Sequence, residues 1–241
     1  MLGTDYMAHF KYRRYIAAVF FLLAVCRSYS LESYQATYQV SVRGVSAGVV
    51  RHDAIFTDLT YRVDTVATPS LAAKMLGFDV ITESSKGLLD HGRVIPQRYQ
   101  RSMEGDADFR LVYDYHPKVH EIEAQIGNSQ QVLKYDEGIQ PLDVLSLVVQ
   151  TLIDDEQHKI AAKYTMISDD KIRTYTVEKL PNETWQTKSG GNINIRVFRQ
   201  ISGDRQTKIY FADNPLRLVQ LTQIKGDQAR FSLKLMDYRV I

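Results

Sequence analysis

The sequence predicts a mainly β fold with minor α: a curved antiparallel sheet or half-barrel, with one central helix and one short helix packed on it. Three observations lead there. Beyond the first 30 residues, most segments alternate apolar and polar side chains at period two, as a strand with one buried face requires. Turn residues recur between those segments at hairpin spacing. One long stretch, 140–154, counts like a helix instead.

The chain opens with a leader. Lys11-Tyr12-Arg13-Arg14 precedes a dozen apolar residues from Tyr15 to Cys26, a basic then apolar pattern too short for a spanning helix and suited to a secretory signal. Small residues at Ser28 and Ser30 place cleavage between Ser30 and Leu31. Two alternatives stay open: an uncleaved membrane anchor, and lipidation at Cys26, where Leu23-Ala24-Val25-Cys26 approximates a lipobox. Residues 1–30 are therefore read as a signal peptide and 31–241 as a single antiparallel β domain, exported to the periplasm. Cys26 is the only cysteine, so the body has neither a disulfide framework nor a thiol nucleophile. Four basic residues of the leader (Lys11, Arg13, Arg14, Arg27) against Asp5 account for the formal charge of +2, and the body is near neutral. That dispersed charge offers no footprint for nucleic acid.

Strands follow in order. Tyr34, Ala36, Tyr38, Val40 and Val42 share one face, and Gly44 to Gly48 turn the chain into a second strand that ends at Phe56. A third covers 61–67, and 71–76 before Gly77 reads as the short helix. Strands at 80–89, 94–103, 109–115 and 122–126 come next, separated by Gly105-Asp106, His116-Pro117-Lys118 and Gly127-Asn128-Ser129. In the central helix Leu142, Leu145, Val148, Val149, Leu152 and Ile153 form one face, with Pro141 at the first turn. Ile160 to Met166, a strand around Tyr175 and Val177, and Ile193 to Ile201 continue the sheet. A closing meander runs from Lys208 to Leu235.

The order of short motifs carries a resemblance. A Tyr-x-Val strand ends in Gly44-x-x-x-Gly48. Ile95-Pro96-x-Arg98-Tyr99 and Pro141-Leu142-Asp143-Val144-Leu145 follow, then Tyr210-Phe211-Ala212-Asp213 leading into Leu216-Arg217-Leu218-Val219. Over 34–238 this resembles the exported bacterial family of domain of unknown function 3108, although Tyr210 and Leu218-Val219 stand where that family commonly has Trp and Pro-Val-Arg. The resemblance implies a fold similar to the half-barrels of the lipoprotein carriers LolA and LolB and of RseB-like domains, which hold apolar ligands in a concave face. It supplies no catalytic residue to carry over.

Chemistry-bearing residues are sparse. His116 and His120 lie four apart beside Asp114, Glu121 and Glu123, but Pro117 puts a turn between them, and a surface hairpin accounts for the cluster without a metal. Asp154-Asp155-Glu156 with His158 reads as a charged helix end. Ser84-Ser85 and Ser189 have no nucleophile-elbow motif around them, and Ser189-Gly190-Gly191-Asn192 lacks what a phosphate loop needs after it. His52 and His91 read as isolated polar positions. No catalytic group, metal site or cofactor is expected. Tyr113, Tyr164 and Trp185, with Leu145, Val149 and Leu152 of the helix, are the candidate ligand-lining residues, cross-strand packing being the competing role for the aromatics.

The expected function is that of a non-catalytic envelope protein binding a lipid or other apolar or amphipathic ligand in the concave face. The alternatives are an interaction or regulatory module of an envelope complex, whose hollow its own helix fills, and an envelope-polymer hydrolase. Membrane contact is expected only through an uncleaved or lipidated leader.

Overall fold

Apolar residues alternating along nearly every strand, with no long break between strands, draw the body into one continuous sheet. The computed structural model describes residues 31–187, 190–213 and 215–241, the side chain of Ala107 excepted. The leader with Cys26 and Ser30, and Ser189, lie outside the described residues; Leu31 is described and packs half-buried against the core. The strands are β1 (Tyr34–Val42), β2 (Val45–Phe56), β3 (Thr60–Pro69), β4 (Ile81–Asp90), β5 (Arg93–Met103), β6 (Asp106–His116), β7 (Glu121–Ile126) and β8 (Ser129–Lys134), then β9 (Lys163–Ser168), β10 (Lys171–Gln186), β11 (Asn192–Ser202), β12 (Arg205–Ala212), β13 (Arg217–Lys225) and β14 (Gln228–Val240). Helix α1 (Leu71–Met75) joins β3 to β4, and α2 (Val144–Glu156) joins β8 to β9.

All fourteen strands belong to one sheet, ordered β8-β7-β6-β5-β4-β3-β2-β1-β14-β13-β12-β11-β10-β9. It is an antiparallel meander in two arms, joined where the first and last strands pair (Tyr34 opposite Val240, Val42 opposite Phe231). The sheet does not close into a barrel; β8 and β9 are its edges. Register shifts interrupt the ladders at Thr37/Tyr38, Val40/Ser41, Lys86/Gly87 and Tyr210/Phe211, among others. Each such bulge adds local twist and bends the strand that carries it. Their sum curls the arms toward each other, far enough for the Tyr113 hydroxyl of β6 to donate to the Asp169 carbonyl in the β9–β10 turn at 2.9 Å.

Helix α2 spans the two arms, packing on β4 and β5 of one and β9 of the other. It begins later than the sequence suggests. Asp143 is the N-cap, extended (φ −76°, ψ 174°), and its Oδ1 accepts from the N–H groups of Leu145 (3.0 Å) and Ser146 (2.9 Å). Leu142 belongs instead to the sheet edge: its N–H donates to the Thr165 carbonyl and its carbonyl accepts from Ile167 N–H. The edge of β9 would otherwise present unpaired backbone groups, so pairing there takes precedence over another helical residue. Pro141 therefore precedes the helix rather than occupying its first turn.

The core divides in two. The larger cluster lies on the concave face and holds Leu145, Val149, Leu152 and Ile153 of α2 against Tyr61, Val63, Tyr99, Tyr113 and Ile122. Burying each of those four helix side chains contributes roughly 1.5–3 kcal/mol. The smaller cluster, Ile195, Val197, Tyr210, Ala212 and Val219, sits on the convex face of β11–β13. Trp185 at the end of β10 covers it, its ring 5.4 Å from that of Tyr210. No helix among the described residues is long and apolar enough to cross a membrane.

Candidate functional site: an apolar hollow floored by the central helix

Strands of 10 to 13 residues such as β3 and β14 run roughly 30–40 Å. A helix about 10–12 Å across cannot cover that length. The consequence is visible along single strands. In β1 Tyr34, Ala36 and Tyr38 are buried, Val40 is half-buried and Val42 is exposed. In β3 Tyr61, Val63 and Thr65 are buried, whereas Ala67 and Pro69 are not. Burial fades toward the same end of the sheet, the end of the β1–β2 turn. There a cavity of about 940 Å³ opens. Its floor is the second face of α2, with Val144, Leu147, Val148 and Thr151; apolar residues such as Val40, Val50, Ile209, Leu221, Phe231 and Leu233 form its walls. The central helix thus plugs one end of the hollow and leaves the other unfilled.

Most of the lining surface is apolar, but polar side chains interrupt it at several places, Gln200, Thr207 and Gln223 among them. His52 is set in the wall between Val50 and Ala54, which share its face of β2. Tyr34 OH lies 3.2 Å from its Nε2 and Thr65 Oγ1 lies 3.2 Å from its Nδ1. Burial lowers its pKa to about 4, so the ring is neutral at physiological pH. Glu83 and Arg101 face each other across β4 and β5 nearer the mouth. Tyr99 OH donates to Glu83 Oε1 at 2.6 Å. The Arg101 guanidinium lies 4.7 Å from the centroid of the Phe109 ring, and its nearest charged partner is Asp169 at 3.5 Å.

Beneath the floor runs a buried polar network. Asp143 Oδ2 accepts from Ser85 Oγ (3.0 Å) and Tyr115 OH (3.3 Å), and Tyr61 OH lies 3.2 Å from Ser85 Oγ. Burial pushes the Asp143 carboxyl up, and the hydrogen bonds from Ser146, Ser85 and Leu145 pull it back. Ser85 is therefore bound to a helix cap, inside the core and away from the hollow's lining.

The six candidate ligand residues are not brought together. Leu145 lines the hollow. Tyr164 lines a small neighbouring void of about 20 Å³, which shares Leu147, Ile209 and Phe211 with it. Tyr113, Val149 and Leu152 are buried in the packed core, and Trp185 lies with the convex-face cluster. The residues that do form the lining, Val148 and Ile209 among them, carry no distinguishing signal beyond their inward phase.

Other candidates resolve into structural contacts. His116 pairs with Glu123 at 3.4 Å, while the His120 ring lies 5.7 Å from that of Tyr135, tilted against it. Among the described residues no group of three or more His, Cys, Asp and Glu side chains is arranged to hold a metal ion. The acidic helix end is not simply solvated. Asp154 accepts from Tyr164 OH at 2.6 Å, and Asp155, 2% exposed, pairs with Arg196 at 2.7 Å; Arg196 also binds Asp213. These contacts tie the end of α2 to β9 and β11.

No curated protein matches the chain. The family model described as "Protein of unknown function (DUF3108)" matches residues 33–234, from the start of β1 into β14, and the chain belongs to that family.

Proposed function

We propose that this protein is a non-catalytic, exported envelope protein that takes an apolar or amphipathic molecule, of the lipid kind, into the hollow above α2. The observation that carries the reading is the 940 Å³ apolar cavity left open at one end. Its size falls in the range of about 300–1,000 Å³ usual for small-molecule sites, and its lining surface is predominantly apolar with polar groups interspersed. Covering the half-exposed side chains of the lining with a ligand gains roughly 25 cal/mol per Å². The basic and apolar leader supports export to the periplasm. An interaction module whose hollow is filled by its own helix fits less well, because α2 occupies only the closed end.

Two measurements on protein purified without detergent test the reading. Native mass spectrometry should find retained apolar molecules, and a hydrophobic dye should bind and be displaced by long-chain acyl compounds. Val148→Trp and Ile209→Trp, which fill the hollow from floor and wall, should weaken that binding. Absence of dye uptake in the unsubstituted protein, with no retained molecule, would overturn the proposal.

A further inference from the structure

Helix α1 is anchored at its N-terminal end rather than by a buried face. Ser70 caps it, Oγ accepting from Ala73 N–H at 3.3 Å, and Ser70 N–H donates to the Ala47 carbonyl at 2.8 Å. No residue of the helix is buried. Its side chains are nevertheless apolar: Leu71 is 76% exposed and Met75 81%, with Leu76 at 78% and Phe78 at 58% just beyond. The neighbouring β1–β2 turn adds exposed Val42 and Val45. Single exposed apolar residues are ordinary, but a contiguous group on adjoining segments marks a contact surface.

Its position and charges select the partner. Val42, Val45, Leu76 and Phe78 also line the hollow, whereas Leu71 and Met75 do not. One apolar surface therefore runs from the cavity wall over the rim to the outside. Exposed cations are interleaved with it, Arg43 between the two valines and Lys74 between Leu71 and Met75, and Asp79 beside Phe78 contributes one carboxylate. Apolar side chains with interspersed Lys and Arg are what a segment presents when it rests in the headgroup layer and reaches the acyl boundary. A molecule leaving hydrocarbon for the hollow would also cross this rim without meeting bulk water. We infer that the α1 and β1–β2 rim docks on a bilayer surface containing anionic lipid, with the mouth of the hollow toward the membrane. This adds a membrane contact beyond the leader. Docking does not require the cavity to carry lipid, although the orientation rests on that reading.

Vesicle flotation tests the inference, using the chain from Leu31 to Ile241, a compact unit whose core clusters lie wholly within it, so that the leader plays no part. The protein should float with vesicles of phosphatidylcholine and phosphatidylglycerol, and less with phosphatidylcholine alone. The double variant Leu71→Glu/Met75→Glu should lower the bound fraction at least about tenfold, since two apolar side chains no longer gain by insertion. Neither residue lines the hollow, so dye uptake should stay at the unsubstituted level. Failure of the unsubstituted chain to float, or equal flotation of the variant, overturns the inference. A dimer that the double variant dissolves, without vesicle binding in either, assigns the rim to a second copy and also overturns it. Flotation without dye uptake would instead remove the cavity reading and leave the docking intact.

Discussion

Replacing Asp143 with Ala should be among the most damaging single changes in this fold. Oδ1 of Asp143 holds two N–H groups of the first turn of α2, and Oδ2 holds the hydroxyls of Ser85 and Tyr115, all in a site with no solvent exposure. Loss of the cap costs about 1 kcal/mol. Each buried donor left without its acceptor adds about 1–3 kcal/mol, less what is regained by no longer burying a carboxylate. The net expectation is a loss of about 3–5 kcal/mol, read from urea melts of the chain from Leu31. Asp143→Asn keeps the Oδ1 acceptor and offers its amide to the two hydroxyl oxygens, so it should stay within about 1 kcal/mol of the parent. The pair also separates by pH. Burial raises the Asp143 pKa, so the folded chain binds that proton more tightly than the unfolded one does. The resulting stability is complete below the ordinary carboxylate pKa and is lost as pH rises through the raised value. Relative to Asp143→Asn, the parent should therefore lose ground as pH rises from about 4 toward neutrality. A loss under about 1 kcal/mol for Asp143→Ala, or equal losses for Ala and Asn, would refute the reasoning.

Further outcomes follow from other sites. His52, lowered to about 4 by burial, favours folding in its neutral form; the stability it supplies is complete above the ordinary histidine pKa and is lost as pH falls from about 6.5 to about 4. Its ring resonances should not titrate between pH 8 and about 5.5, and a midpoint near 6.5 would contradict that burial. Arg196→Met leaves Asp155 buried without its partner and should cost about 3–5 kcal/mol in a denaturant melt, with Asp155→Asn in the same chain recovering most of it. Gly87→Ala places a Cβ 2.2 Å from the Ile95 carbonyl oxygen and 2.9 Å from Pro96 Cα, both backbone, so it should destabilise by about 3 kcal/mol or more, or prevent folding as seen by circular dichroism.

What the sequence showed was periodic, and what it hid depends on distant partners. Tyr34, Ala36 and Tyr38 announce an inward face by alternation alone, and the apolar stripe of α2 is legible at 3.6 residues per turn. Strand β8 is not legible locally because Ser129-Gln130-Gln131 opens it without an apolar residue, and only the neighbouring β7 makes it a strand. The start of α2 falls later than its periodicity implies because the contest for Leu142 is decided by the edge of β9, more than twenty residues downstream. Ser85 meets Asp143 across 58 residues of sequence, so neither showed as half of a network. The convex-face role of Trp185 depends on the long β10 reaching Tyr210, which no local pattern reveals. Whether the hollow is filled or open depends on strand length against helix width, a property of the assembled sheet.

On the proposed function, ligand enters the concave side above α2 and not the convex face. Methyl-resolved NMR with a spin-labelled long-chain fatty acid tests it most directly, because the convex-face cluster serves as an internal control. Val148, Ile209 and Leu233 methyls should show paramagnetic broadening, with Ile195 and Val197 unaffected. Broadening centred on Ile195 and Val197, or none at any of these methyls, would contradict it.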